Sequence, residues 1–196
     1  MSTHGDGHPD QHGARRAAPA IALLGAECTG KTELARDLAQ ALPGLFLAEA
    51  LREFCDRHGR PPHAHEQHAL MLEQVAREHE ARGRARDMGL DWLVVDSTPL
   101  ATALYSARLY GDDSLLDAGT THQHQYALTL VTEPDFPWVA DGIQRDGPHE
   151  RDAFHALVLR TLEQRAVPHM RIGGDRARRL ALALAAVAGV LDFLQR

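Results

Sequence analysis

The eight residues Gly25-Ala26-Glu27-Cys28-Thr29-Gly30-Lys31-Thr32 carry the spacing G-x-x-x-x-G-K-[ST]. That pattern suits a triphosphate. Glycines let the backbone turn its N–H groups around phosphate oxygens, the lysine brings a full positive charge to the outer phosphates, and the following hydroxyl ligates Mg²⁺. The chemistry needs a strand before the loop and a helix after it, because the helix N-terminus adds positive potential at the same point. Ala20–Leu24 is an apolar run of strand length and Thr32–Leu42 reads as an amphipathic helix, so the context is present. The nucleotide contacts expected are Gly25, Ala26, Glu27, Cys28, Thr29, Gly30, Lys31 and Thr32, with ATP and Mg²⁺ as cofactors. Cys28 lies where a helix N-terminus stabilises a thiolate. It is either a residue whose oxidation or alkylation blocks ATP binding, or a small side chain that fits.

A second acidic group is needed to hold the metal. Trp92-Leu93-Val94-Val95-Asp96 is an apolar strand ending in a carboxylate, which orders Mg²⁺ together with Thr32. Glu49 and Arg52 follow a short strand, Leu45–Ala48. Ligands of open parallel sheets sit outside the carboxyl ends of strands, where a carboxylate can take a proton from a substrate hydroxyl and an arginine can orient it. The same two residues are equally readable as a surface i, i+3 ion pair. Arg145 and Arg151 stand in a glycine- and proline-bounded charged segment that could close over the phosphates and neutralise charge developing in transfer. Gly173, in the turn Gly173-Gly174-Asp175, is placed to border an adenine base.

These groups must be carried by alternating strands and helices. Further helices are expected over Ala64–Arg86, with Ala69, Leu72, Val75 and Ala76 as its apolar stripe, over Thr98–Tyr110, over Arg151–Arg165 and at the C-terminus; further strands over Tyr126–Thr132 and Val167–Ile172. The expectation is an α/β three-layer fold, a five-stranded parallel sheet with helices on both faces and the Asp96 strand beside that of the phosphate loop. Residues 1–17, with His4, His8 and His12 among Gly, Asp, Pro and Gln, read as a disordered tail, and 18–196 as one domain. His65 and His68, at i, i+3, read as solvated helix residues.

The 196 residues are enough for one substantial core. A net charge of -6 argues against a nucleic-acid binder working through a basic face. Two cysteines and no secretory signal suggest a cytoplasmic, reduced protein. Leu180–Leu194 is apolar but too short for a membrane span, so a buried helix is expected there.

Taken together, the segments from Ile21 to Leu194 resemble the NadR-type P-loop family, typified by bacterial ribosylnicotinamide kinase domains with an AAA-type ATP-binding fold. Gly25-Ala26-Glu27 resembles its G-A-E start, Glu49-Ala50-Leu51-Arg52-Glu53 its E-x-x-R-E segment, Val95-Asp96-Ser97 its D-T-D segment, and Pro137-Trp138-Val139-Ala140-Asp141-Gly142 its P-W-x-x-D-G; Gln74 is similar to a helical glutamine. The resemblance implies phosphoryl transfer from ATP to the 5′-hydroxyl of nicotinamide riboside or a similar nucleoside, in NAD biosynthesis. It implies Lys31, Glu49, Asp96, Arg145 and Arg151 as catalytic residues and Glu49, Arg52, Trp138 and Asp141 as substrate contacts. Asp96 and Glu49 compete as general base, with Glu49 favoured. Three positions depart from the family pattern: Thr98 replaces the second aspartate, Ala48 stands where an aromatic could face a pyridinium, and Gln144 precedes Arg145. The rival reading is a nucleotide-regulated switch that phosphorylates nothing.

Overall fold

The computed structural model describes residues 17–138 and 147–194. Five short strands, β1 (Ala20–Leu24), β2 (Gly44–Leu47), β3 (Trp92–Asp96), β4 (Leu128–Thr132) and β5 (Met170–Ile172), pair in parallel in the order β2-β3-β1-β4-β5. As expected, the Asp96 strand lies beside that of the phosphate loop, with Leu23 opposite Asp96.

Every residue of β1 and β3 is buried, which is why these strands are continuous apolar runs rather than alternating ones. The two-residue strand period still sorts their side chains. Ile21, Leu23, Trp92, Val94 and Leu130 face a core shared with Leu34 and Leu38 of α1 (Lys31–Ala41) and Ala183 and Val187 of α7 (Arg176–Leu194). Ala20, Ala22, Leu24, Leu93, Val95 and Val131 face the opposite way. There they meet Ala81 of α3 (Ala64–Asp87), Leu100 and Leu104 of α4 (Pro99–Tyr110), and Phe154, Val158 and Leu162 of α6 (Gly147–Gln164). The result is three layers, helices on both faces of the sheet.

Local signals set the helix ends. Pro99 occupies the first turn of α4 and Gly111 closes it in the left-handed region at φ 66°. At the start of α3 the Glu66 carboxylate reaches back to the His63 N–H at 2.7 Å. Between α2 (Ala50–His58) and α3, Arg60 forks onto Glu66.

Four expectations are revised. The buried stripe of α3 is Gln67, Leu70, Met71, Gln74, Glu78, Ala81 and Ala85, whereas Ala69, Leu72 and Ala76 face outward and Val75 is half-buried. Three polar residues sit on the inner face, Gln74 and Glu78 with their hydrogen bonds made inside the protein and Gln67 with one to the Pro62 carbonyl, so apolar content pointed to the wrong side. A helix absent from the expectation, α5 (Leu116–Gln123), packs on α4. Its Gly119 allows the approach, since a Cβ there would lie 3.0 Å from Leu100 Cα. Helix α6 begins at Gly147, earlier than Arg151. The C-terminal helix is only half-sunk, with Leu191 and Phe193 exposed, and among the described residues no helix is long and apolar enough to cross a membrane. The expected tail lies, apart from Ala17, outside the described residues.

Candidate functional site

The carboxyl ends of β1, β2, β3 and β4 bring the loop, Glu49, Asp96 and Thr132 to one edge of the sheet. The loop's path is strained in the way such loops require. Gly25 has φ 144°, and a Cβ on it would fall 2.4 Å from Thr132 Oγ1. Cys28 adopts a left-handed φ of 51° and Gly30 one of 75°. Thr29 is buried, its hydroxyl donating to the Ala26 carbonyl at 2.7 Å and meeting Thr132 Oγ1 at 2.7 Å. Lys31 Nζ donates back across the loop to the Ala26 carbonyl at 2.7 Å, so its charge is already held over the cradle.

Thr32 Oγ1 donates to Asp96 Oδ2 at 2.6 Å, joining the first turn of α1 to the end of β3. Asp96 is buried and its Oδ1 has no hydrogen-bond partner among the described residues. A buried carboxylate oxygen left over beside a hydroxyl is a hard, all-oxygen donor set that fits Mg²⁺, whose shell would be completed by phosphate oxygens and water. Ser97, just after it, is a non-glycine residue at φ 65°, and its N–H bonds the Leu23 carbonyl at 3.1 Å. That turn ends the strand sharply and starts α4.

Glu49 stands at the N-terminus of α2, half-buried. Burial raises its carboxyl above the ordinary carboxylate range; Lys31 opposes this, Asp96 adds to it, and Arg52 and the Ser97 hydroxyl oppose it. Glu49 lines a narrow cavity with Ala50, Gln74, Ser97, Thr98 and Thr102. A buried network fixes its backbone. The Ala50 N–H donates to Gln74 Oε1 at 3.2 Å, Gln74 Nε2 to Glu78 Oε1 at 3.0 Å, and Glu78 Oε2 meets the Tyr126 hydroxyl at 2.7 Å and His122 Nε2 at 2.8 Å. The Glu78 carboxylate and burial together hold the Tyr126 phenol well above its usual range, burial contributing most. Thr98, in place of an aspartate, donates to Gln123 Oε1 at 2.7 Å.

Further along the same face of α4, a crevice of about 20 Å³ beside Ala26 and Glu27 is walled by Tyr105, Arg108, Glu150 and Arg151. Tyr105 stacks on Phe154 with ring centroids 4.1 Å apart. Arg151 belongs to α6 and donates to the Phe136 carbonyl at 2.9 Å and to Asp152 at 3.2 Å. Trp138 is half-buried at the edge of the described segment. Asp141, Gln144 and Arg145 lie outside the described residues.

On the other side of the loop, a cavity of about 220 Å³ is lined by Gly30, Glu33, Leu34, Phe136, Arg176 and Arg179. Its floor is Phe136, with the Arg179 guanidinium 4.2 Å from the ring centroid. Gly173 packs against Glu133 and Asp135, where a Cβ would come 2.9 Å from Asp135 Oδ2.

Phe136, Tyr105, Glu78 and Arg179 were not singled out from sequence. Tyr105 was within reach, because it stands one turn beyond Ala101 and Thr102 on a helix leaving a site-forming strand. Arg179 was not, since Arg176-Ala177-Arg178-Arg179 reads as a solvated basic run.

A family model described as an AAA domain matches residues 20–179. No curated protein matches the sequence. Among solved structures, the NadR protein in complex with NR is 19% identical with a TM-score of 0.64 over 89% of this chain and 52% of its own. The NadR protein in complex with NAD and AMP-PNP is 19% identical with a TM-score of 0.71 over 89% of this chain and 49% of its own. Thymidylate kinase from Ehrlichia chaffeensis is 13% identical with a TM-score of 0.61 over 90% of this chain and 100% of its own. The chain spans about half the length of the NadR structures it matches, and identities this low speak for a shared fold.

Proposed function

The chain belongs to the AAA domain family, in a P-loop fold shared with nucleoside and nucleotide kinases, and on that premise we propose that it transfers the γ-phosphate of ATP to a hydroxyl of a small nucleoside-like acceptor, nicotinamide riboside first. The observation that carries this reading is Glu49: a half-buried carboxylate with a raised pKa, within electrostatic reach of both Lys31 and Asp96, opening onto a cavity edged by hydroxyl and amide groups.

In this mechanism the loop amides and Lys31 hold the triphosphate, and the base occupies the Phe136 cavity, where Leu34 and the ring offer apolar contact. Thr32 and Asp96 would hold Mg²⁺, which would supply neutralisation of phosphate charge. Glu49 accepts the acceptor's hydroxyl proton as that oxygen forms a bond to the γ-phosphorus and the bond from phosphorus to the β–γ bridging oxygen breaks, releasing ADP. Arg52 orients the acceptor. Arg151, and Arg145 with it, balance charge in the transition state, and Trp138 and Asp141 border the acceptor. Tyr105 supplies the planar ring for the acceptor's base that Ala48 does not.

Two of the solved structures support the acceptor class: one NadR structure holds NR, the other NAD with AMP-PNP. The test is incubation with ATP, Mg²⁺ and a panel of nicotinamide riboside, ribonucleosides and deoxyribonucleosides, read by mass spectrometry. A phosphorylated nucleoside is expected. ADP with no phosphorylated acceptor across the panel would favour a nucleotide switch.

A further inference from the structure

We propose that Arg179, far along the chain from the phosphate loop, is a positioning residue that sets the loop's backbone for phosphate binding. The side chain is fully buried although it carries a full charge. Four of its five N–H groups are spent on protein oxygens: Nε on the Gly174 carbonyl at 2.7 Å, Nη1 on the Thr29 carbonyl at 2.6 Å, and Nη2 on the Glu133 carbonyl at 3.0 Å and on Asp135 Oδ1. Asp135 is itself fixed by the Gly174 N–H at 2.6 Å. One planar cation thus joins the phosphate loop, the segment after β4 and the turn before α7, and lies over the Phe136 ring.

The bond to Thr29 bears on chemistry. A trans peptide is planar, with its C=O and N–H on opposite sides. Drawing the Thr29 carbonyl toward Arg179 therefore aims the Gly30 N–H away from the guanidinium, to the side where a phosphate oxygen would sit. The Thr29 side chain is held independently, by Ala26 and Thr132, so the peptide is fixed from two directions. Without the guanidinium, the Thr29–Gly30 peptide is free to rotate, since Gly30 imposes little barrier. A lysine cannot replace the arrangement: it offers a point charge instead of a planar fork. Arg179 also lines the base cavity, so its two possible roles must be separated.

The proposal rests on the nucleotide reading above, and two ligands separate them. ATP carries a base; inorganic tripolyphosphate does not. Affinities of both, with Mg²⁺, are measured for the unaltered protein and for Arg179→Lys, Arg179→Met, Phe136→Leu and Val187→Ala. Arg179→Met is expected to weaken both ligands by the same factor, about tenfold, and Arg179→Lys to weaken both by a smaller common factor. Phe136→Leu is expected to weaken ATP alone. Val187→Ala, a core truncation on the same helix, should lower the unfolding midpoint and leave both affinities unchanged. Should Arg179→Met not fold, Arg179→Lys decides. Loss of ATP affinity alone in the Arg179 variants would make the residue a base platform and overturn the proposal, as would unchanged affinities. Failure of the unaltered protein to bind either ligand would instead refute nucleotide binding, and the proposal with it.

Discussion

The Thr32 hydroxyl donates to one oxygen of Asp96 at 2.6 Å, and the other carboxylate oxygen is buried with no partner among the described residues. An unpaired buried carboxylate oxygen is costly unless something positive comes to it. Asp96→Asn is accordingly expected to remove the Mg²⁺ dependence of nucleotide binding and to lower turnover on the order of 100-fold. A titration of turnover with Mg²⁺ checks this; a variant with an unchanged Mg²⁺ optimum would remove Asp96 from the metal site.

For Glu49 the direction of its pKa fixes the shape of the pH profile. A base must be deprotonated to act, and a raised pKa moves that requirement upward. Activity is expected to climb with pH through a value above the ordinary 4.5 of a glutamate. Glu49→Gln should keep ATP affinity, lose that limb and lower turnover by roughly 10²–10⁴. A profile with the same limb in the variant would assign the proton to another group.

Gly25→Ala tests the close approach behind the loop. Its Cβ would stand inside the Thr132 hydroxyl, at a φ that side chains rarely adopt. The expected cost is about 1–3 kcal/mol of stability or more, together with loss of ATP binding. Calorimetric unfolding and nucleotide titration on one preparation would show both.

Gln74 holds the Ala50 N–H on one side and Glu78 on the other. Gln74→Leu leaves both without it, at about 1–3 kcal/mol. Because Ala50 adjoins Glu49, acceptor turnover is expected to fall more than ATP affinity. Equal losses in the two would mean that the network supports the fold alone.

Buried His155 lies 3.4 Å from Glu133 Oε2, and burial pushes its pKa below 6.5, outweighing the carboxylate. A histidine depressed in the folded state contributes stability above its unfolded value that is lost as pH falls toward the folded one. The unfolding midpoint should therefore drop between pH 6.5 and more acidic values, and His155→Leu should flatten that slope. An unchanged slope would place the acid sensitivity elsewhere.

The parts of the site legible in the sequence were those where local pattern and tertiary need agree. Gly25 to Thr32 leaves the buried strand β1 and Trp92 to Asp96 is itself one, so apolar runs and the polar or glycine residues that end them marked both directly. Where polar residues turn inward, the pattern misled. Gln67, Gln74 and Glu78 gave α3 its buried face, and hydrogen bonds that no single sequence displays made this affordable. Helix α5 was hidden because Gly119 and its threonines are poor helix formers, and close packing on α4 outweighs their propensity. Arg179 was invisible for a related reason: three of its four hydrogen bonds go to backbone carbonyl groups, which carry no residue identity.

The contact between Arg179 and the Thr29 carbonyl spans 150 positions. A ribosome releases β1 and its loop early and the last helix late. Until α7 docks, a nascent chain has the glycines and the lysine but lacks the bolt behind them. On the role proposed for Arg179, chains translated short of this helix should bind Mg·ATP and tripolyphosphate more weakly than chains that include it.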